Sequence, residues 1–135
     1  MRIVIDASVA VKWVISENGS EPAAALLGQD LMAPVLWLAE AANALWRRMR
    51  IGEITAEQAA ARLAELLEAP VASLPIEPFV EEALRLAAQI GHPIYDCLYL
   101  AVALRHDVSV VTADRRFASA ASGPGLKGRV RLLGE

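Results

Sequence analysis

The chain has 135 residues, with 13 Lys plus Arg against 16 Asp plus Glu, a formal net charge of −3, 56% hydrophobic and 21% charged residues. That length and balance predict a single folded domain over residues 1–135 and exclude an intrinsically disordered chain. One cysteine, Cys97, excludes an internal disulfide framework, and no apolar run approaches the ~20 residues that cross a bilayer.

In chain order, Ile3-Val4-Ile5 reads as a short strand apolar on both faces, as in a covered parallel sheet. The apolar start resembles a leader, but Asp6 and Lys12 interrupt it, so a cytoplasmic protein is expected. A short helix follows from Ser8 to Ile15, then a helix through Leu26 and Leu27 with Ser20 as N-cap, and a brief strand Leu31 to Ala33. A longer helix is predicted from about Val35 to Ile51, stopped by Gly52. Thr55 and Gln58 fit a capping box that opens a helix over Ala56 to Glu68. Val71 to Leu74 reads as a strand, Pro78 to Ile90 as a helix ended by Gly91 and Pro93, and Tyr95 to His106 as another helix. Val108 to Val111 is a β-branched strand, and Val130 to Leu133 a last edge strand. Strands separated by helices imply right-handed crossovers and a mostly parallel sheet with helices on both faces. In such sheets sites form beyond the carboxyl ends of the strands, where strand order switches.

Four acids fall where that rule points. Asp6 follows the first strand, Asp114 follows the Val108–Val111 strand, Asp96 begins a helix, and Glu40 sits inside the apolar stretch Pro34 to Trp46. Each also has an ordinary reading: Asp6 as an N-cap, Asp96 as a helix-start residue, Asp114 as the opening of a turn with Arg115, Glu40 as a solvent-facing helix position. If the four converge they repel, by about 4 kcal/mol for two unit charges ~4 Å apart at an effective dielectric near 20. Either some are protonated or a cation compensates them. Oxygen donors alone select a hard cation, Mg²⁺ or Mn²⁺. His92, flanked by Gly91 and Pro93, reads as a loop residue rather than a general base, His106 as a helix-end residue, and Cys97 as a small core residue.

The segments DASVAVKW (Asp6–Trp13), EAANALWR (Glu40–Arg47), YDCLYLAVA (Tyr95–Ala103) and TADRRF (Thr112–Phe117) resemble, in series and at suitable spacing, the PIN-domain family and within it the VapC-type toxins. The resemblance implies a three-layer α/β/α sandwich and Mg²⁺-dependent endoribonuclease activity. It carries an acidic quartet onto Asp6, Glu40, Asp96 and Asp114, with Asp6 and Asp96 foremost, and Asp114, as metal ligands. Ser8, Thr112 and Asn43 match small polar positions beside the acids, where they would orient them by hydrogen bonds. A VapB-type antitoxin and a homodimer are the partners it implies, with no membrane.

Three rival readings fit the residues less well. A receiver-like domain needs adjacent acids after the first strand, and an aspartyl-nucleophile phosphatase needs Asp-x-Asp, whereas this chain offers Asp6-Ala7-Ser8. A non-catalytic RNA-binding or interaction module on the same fold is the alternative that an intact quartet disfavours. Trp13, Trp37 and Trp46 stand out in a chain that is 5% aromatic, and Trp is a typical interface anchor. Trp37 reads equally as core, whereas Trp13 is expected at the antitoxin interface. The net charge looks unfriendly to nucleic acid, but residues 51–82 hold seven glutamates against Arg62 alone, leaving the remainder net positive. Arg47, Arg115 and Arg116, close to the acidic motifs, are therefore expected to contact substrate phosphates.

Overall fold

A computed structural model describes residues 1–135. Its elements are β1 (Arg2–Ile5), α1 (Ala7–Ala10), α2 (Ser20–Ala25), β2 (Asp30–Pro34), α3 (Trp37–Arg50), α4 (Ala56–Leu67), β3 (Val71–Leu74), α5 (Val80–Ile90), α6 (Ile94–His106), β4 (Val110–Thr112), α7 (Arg115–Ala120) and β5 (Val130–Leu132). The five strands form one sheet in the order β3-β2-β1-β4-β5, and every pairing is parallel. Helices cover both faces, giving the expected three-layer α/β/α sandwich. No helix is long and apolar enough to cross a membrane.

The chain builds β1, β2 and β3 outward in one direction, then returns to place β4 on the other side of β1. The reversal lies between β1 and β4, so the crevice for chemistry opens beyond Ile5 and Thr112. β1 is central, and Ile3, Val4 and Ile5 are buried, which is why its sequence is apolar without alternation. α6 crosses β1, β2 and β4 and buries every residue from Cys97 to Ala103. A helix apolar all round belongs in the interior, and this one fixes the depth of Asp96 at its start.

The capping box forms as read from the sequence: Gln58 N–H donates to Thr55 Oγ1 at 3.1 Å and Thr55 N–H to Gln58 Oε1 at 2.8 Å. Gly91 closes α5 at φ +65°. Four details differ. Ser20 is the first residue of α2 and not its cap; Gly19 occupies that place at φ +89°. Ser20 Oγ instead ties the preceding turn, donating to the Ile15 carbonyl and accepting from Glu17 N–H. The predicted Ser8–Ile15 helix is α-helical only over Ala7–Ala10 and tightens to a 3₁₀ turn at Val11–Trp13. β4 begins at Val110, because Asp107 turns at φ +54° and Val108 N–H bonds back to the Ala103 carbonyl, so Val108 and Ser109 connect helix to strand. Finally, α7 was not anticipated; Asp114 opens it and Phe117, fully buried, anchors it.

Candidate active site

The site starts with Asp6, the residue at which β1 hands over to α1. Its backbone is extended and its side chain does not cap α1. Instead Oδ2 accepts from Thr112 Oγ1 at 2.6 Å and from Ser8 Oγ at 2.7 Å. Each hydroxyl has one proton to donate and lone pairs left to accept. Ser8 Oγ takes Ala113 N–H and Thr112 Oγ1 takes Asp114 N–H, both at 3.0 Å. Two hydroxyls thus clasp a buried carboxylate to the loop after β4. Asp114 itself accepts Arg116 N–H at 2.9 Å through Oδ1, as the N-cap of α7.

Glu40 lies in the first turn of α3 and accepts from Tyr99 Oη at 2.6 Å. Asp96, in the first turn of α6, accepts from His92 Nε2–H at 2.6 Å. The imidazole stacks on Phe117, centroids 5.4 Å apart and planes at 14°. One ligating atom each from His92, Asp96 and Asp114 lies within 4.8 Å of the others. Asp6 stands outside that trio but lines the same cavity, of about 880 Å³, together with Glu40, Asp96 and Asp114.

Like charges in a poorly solvated place show in the proton affinities. Asp6 is held above the ordinary Asp range chiefly by burial, against which its two hydroxyl bonds act, with the Asp96 charge adding to the rise. Glu40 is raised by burial and by the Asp6 and Asp96 charges, partly offset by Tyr99. Asp96 is raised by burial and by Asp114, offset by His92. Burial first, then the Asp6 and Glu40 charges, pushes the Tyr99 phenol far above its usual range, so it remains a hydrogen-bond donor. Carboxylates destabilised by one another and joined by an imidazole form a donor set that a divalent cation fits.

The cavity rim is basic. Arg48 is engaged by Glu17 and Glu53, and Lys12 by Glu17. Arg47 lines the cavity, is exposed and makes no ion pair; Arg50, also on the rim, packs against the exposed Trp46 ring at 5.5 Å. Asn43 lines the cavity from an exposed position one turn after Glu40. Arg115 and Arg116 are exposed but do not line it, and Arg115 borders a separate groove of about 580 Å³ beside β5. Trp13 is half-buried, its indole N–H donating to the Ala23 carbonyl at 2.8 Å, and Trp37 is buried with its N–H on Ser73 Oγ. Cys97 is core, its thiol pushed up to about 11 by burial and Asp96.

Two residues of the site carry more than the sequence reading gave them: His92, read as a loop residue, is in the loop before α6 but bonds to Asp96, and Tyr99 was not singled out. His92 precedes Asp96 by four positions, a helical spacing hidden because Pro93 stands before the helix. Tyr99 is a phenol in the middle of an otherwise apolar interior helix, where an O–H needs a partner.

A family model described as "PIN domain" matches residues 3–123. The chain is 32% identical over 123 residues to a protein named Ribonuclease VapC3 from Pyrobaculum aerophilum, covering 87% of this chain and 93% of that one. It is 33% identical over 134 residues to Ribonuclease VapC1 from Mycobacterium tuberculosis, covering 96% of both. The crystal structure of PAE2754 from Pyrobaculum aerophilum superposes with a TM-score of 0.74 at 26% identity, covering 97% of this chain and 83% of that one.

Proposed function

The chain belongs to the PIN-domain family, among its VapC-type members, and from that premise we propose that it is a divalent-metal-dependent endoribonuclease, the toxin of a toxin–antitoxin pair. One observation carries the reading: Asp6, Glu40, Asp96 and Asp114, drawn from four separate stretches of the chain, line one open cavity with Lys12, Arg47, Arg48 and Arg50 around it.

Asp6, Asp96 and Asp114 would hold Mg²⁺ or Mn²⁺. When bound, such an ion supplies charge neutralisation at a phosphodiester and a water of lowered pKa. The chain's own residues do the rest. Ser8 and Thr112 keep the Asp6 carboxylate in one orientation, and Tyr99 does the same for Glu40. Glu40, with its raised proton affinity, is suited to orient a water at the cavity floor or accept its proton. Arg47 offers a free guanidinium for a flanking phosphate, and Asn43 an amide for the ribose-phosphate backbone.

The VapC names of the relatives support a VapB-type antitoxin as partner and, with it, a homodimeric toxin. A cytoplasmic location follows from the RNA substrate. The test is cleavage of RNA by the purified chain and by Asp6→Asn, each with Mg²⁺ and with EDTA. Wild-type cleavage that needs the metal and is reduced at least a hundredfold by the substitution is expected; full activity in Asp6→Asn or in EDTA would falsify the mechanism.

A further inference from the structure

His92 is the one nitrogen donor in the trio. We propose that His92 Nε2 is a ligand of the divalent cation bound beside Asp96 and Asp114, and that this nitrogen turns the site's preference from Mg²⁺ to Mn²⁺. The proposal rests on the reading that the cavity takes a divalent cation, and names which cation and through which atom.

Position comes first. Nε2 lies 2.6 Å from Asp96 Oδ2, and one atom of each residue in the trio falls within 4.8 Å of the others. The three donors lie close enough to converge on one ion after small side-chain shifts: bonds of ~2.0–2.2 Å would set neighbouring donors roughly 3 Å apart, so Nε2 and Oδ2 would open slightly from hydrogen-bond distance and Asp114 would close in. The ring is also held. It stacks on Phe117, and its side chain is only 11% exposed. His92 N–H donates to the Ala87 carbonyl at 3.3 Å, and its own carbonyl accepts from Cys97 Sγ at 3.7 Å. Phe117 belongs to α7, the helix that Asp114 caps, so one short helix seats both the imidazole and a carboxylate of the trio. A histidine serving only to fill space would not need its nitrogen aimed at the carboxylate.

Chemistry then separates the cations. Mg²⁺ prefers oxygen and keeps several waters, gaining little from imidazole. Mn²⁺ accepts the same carboxylates and, being softer than Mg²⁺, gains more than Mg²⁺ does from an imidazole nitrogen among them. Ligation through Nε2 would require the imidazole tautomer with its proton on Nδ1, so the Nε2–H bond to Asp96 would be exchanged for the bond to the ion.

Pulsed electron paramagnetic resonance of the full chain with one equivalent of Mn²⁺ reads the ligand directly. The expected result is a nitrogen coupling in the wild type that disappears in His92→Phe, a change that retains a ring on Phe117. Calorimetry should give Mn²⁺ binding at least tenfold tighter than Mg²⁺, and about a tenfold smaller ratio in both His92→Phe and His92→Gln. Mn²⁺ bound without nitrogen coupling, or an unchanged ratio in either folded variant, overturns the assignment and leaves the cation site standing with His92 as a hydrogen-bond donor to Asp96. A wild type that binds neither ion overturns both readings, and nuclease assays in EDTA would show the same failure independently.

Discussion

Removing one oxygen, in Tyr99→Phe, tests how the site tolerates its own charge. The phenol donates to Glu40 Oε1 at 2.6 Å and is fully buried, so the substitution deletes a short bond to a carboxylate and leaves the ring packing intact. Hydrogen bonds to charged groups contribute about 1.5–3 kcal/mol; the half-buried setting of Glu40 places this one toward the lower end, at about 1.5–2 kcal/mol. An unfolding entropy of about 2.1 cal/mol/K per residue makes each kcal/mol worth about 3.5 °C in a chain of this length, so Tm should fall by about 5–7 °C at pH 8 without metal. The loss has a pH signature. Glu40's folded-state pKa is raised above its ordinary 4.5, so near pH 4 it is mostly protonated in both states and Tyr99 faces a largely neutral acid. There the cost should shrink to about 1 kcal/mol or less, the value of a neutral hydrogen bond. Thermal unfolding at both pH values, repeated in a Glu40→Gln background, isolates the coupling. An equal loss with Glu40 or Gln at position 40, or the same loss at both pH values, would refute the reasoning.

Asp6, Glu40 and Asp96 all bind protons more tightly folded than unfolded. The metal-free protein should therefore gain stability as pH falls from each raised pKa toward the ordinary carboxylate range. Melting scans in EDTA would show that trend, and one in which Tm rises with pH over that window would contradict it. For the same reason Asp6→Asn should melt a few degrees above the wild type in EDTA at pH 8, a gain of about 0.5–2 kcal/mol of the kind found when function-bearing strain is relieved. Thr112→Val keeps the shape but removes a donor to Asp6 and the acceptor of Asp114 N–H; a loss of about 2–3 kcal/mol is expected in denaturant unfolding. Arg47→Ala should weaken binding of RNA by cleavage-inactive protein severalfold and reduce the salt slope of binding by about one, measured by filter binding at several salt concentrations.

The short strands and the positions of the four acids were readable because they rest on local signals, apolar runs too short for helices and acids immediately after them or within apolar company, whereas the strand order came only from the structure. Asp6 shows where such signals stop. As an N-cap candidate or a ligand it was undecided, and only the fold brings Thr112 to it, 106 positions away. Tyr99 and His92 escaped for the same reason, since their roles depend on α6 presenting Tyr99 to Glu40 of α3 and on α7 bringing Phe117 against the His92 ring. α7 has six residues, too few for a hydrophobic period, and its cap Asp114 reads in the sequence as a ligand or as the opening of a turn with Arg115. Arg115 and Arg116 adjoin Asp114 in sequence, yet the helix it caps carries them away from the cavity, whereas Arg47, seven residues after Glu40, stays on the cavity face because two turns of helix return it there.

The hydroxyl clasp on Asp6 has a consequence for the order of events during synthesis. A ribosome makes Asp6 106 residues before its clasping partner Thr112, and the loop to Asp114 follows later still. Until then β1 lacks its β4 neighbour, and the first carboxylate hangs from a half-finished sheet. At ~5–20 residues per second, that interval lasts several seconds or more. A nascent chain that stops short of β4 therefore carries Asp6 and Glu40, and then Asp96, without the framework that aims them, and the acidic cluster assembles only once β4 and Asp114 have been made.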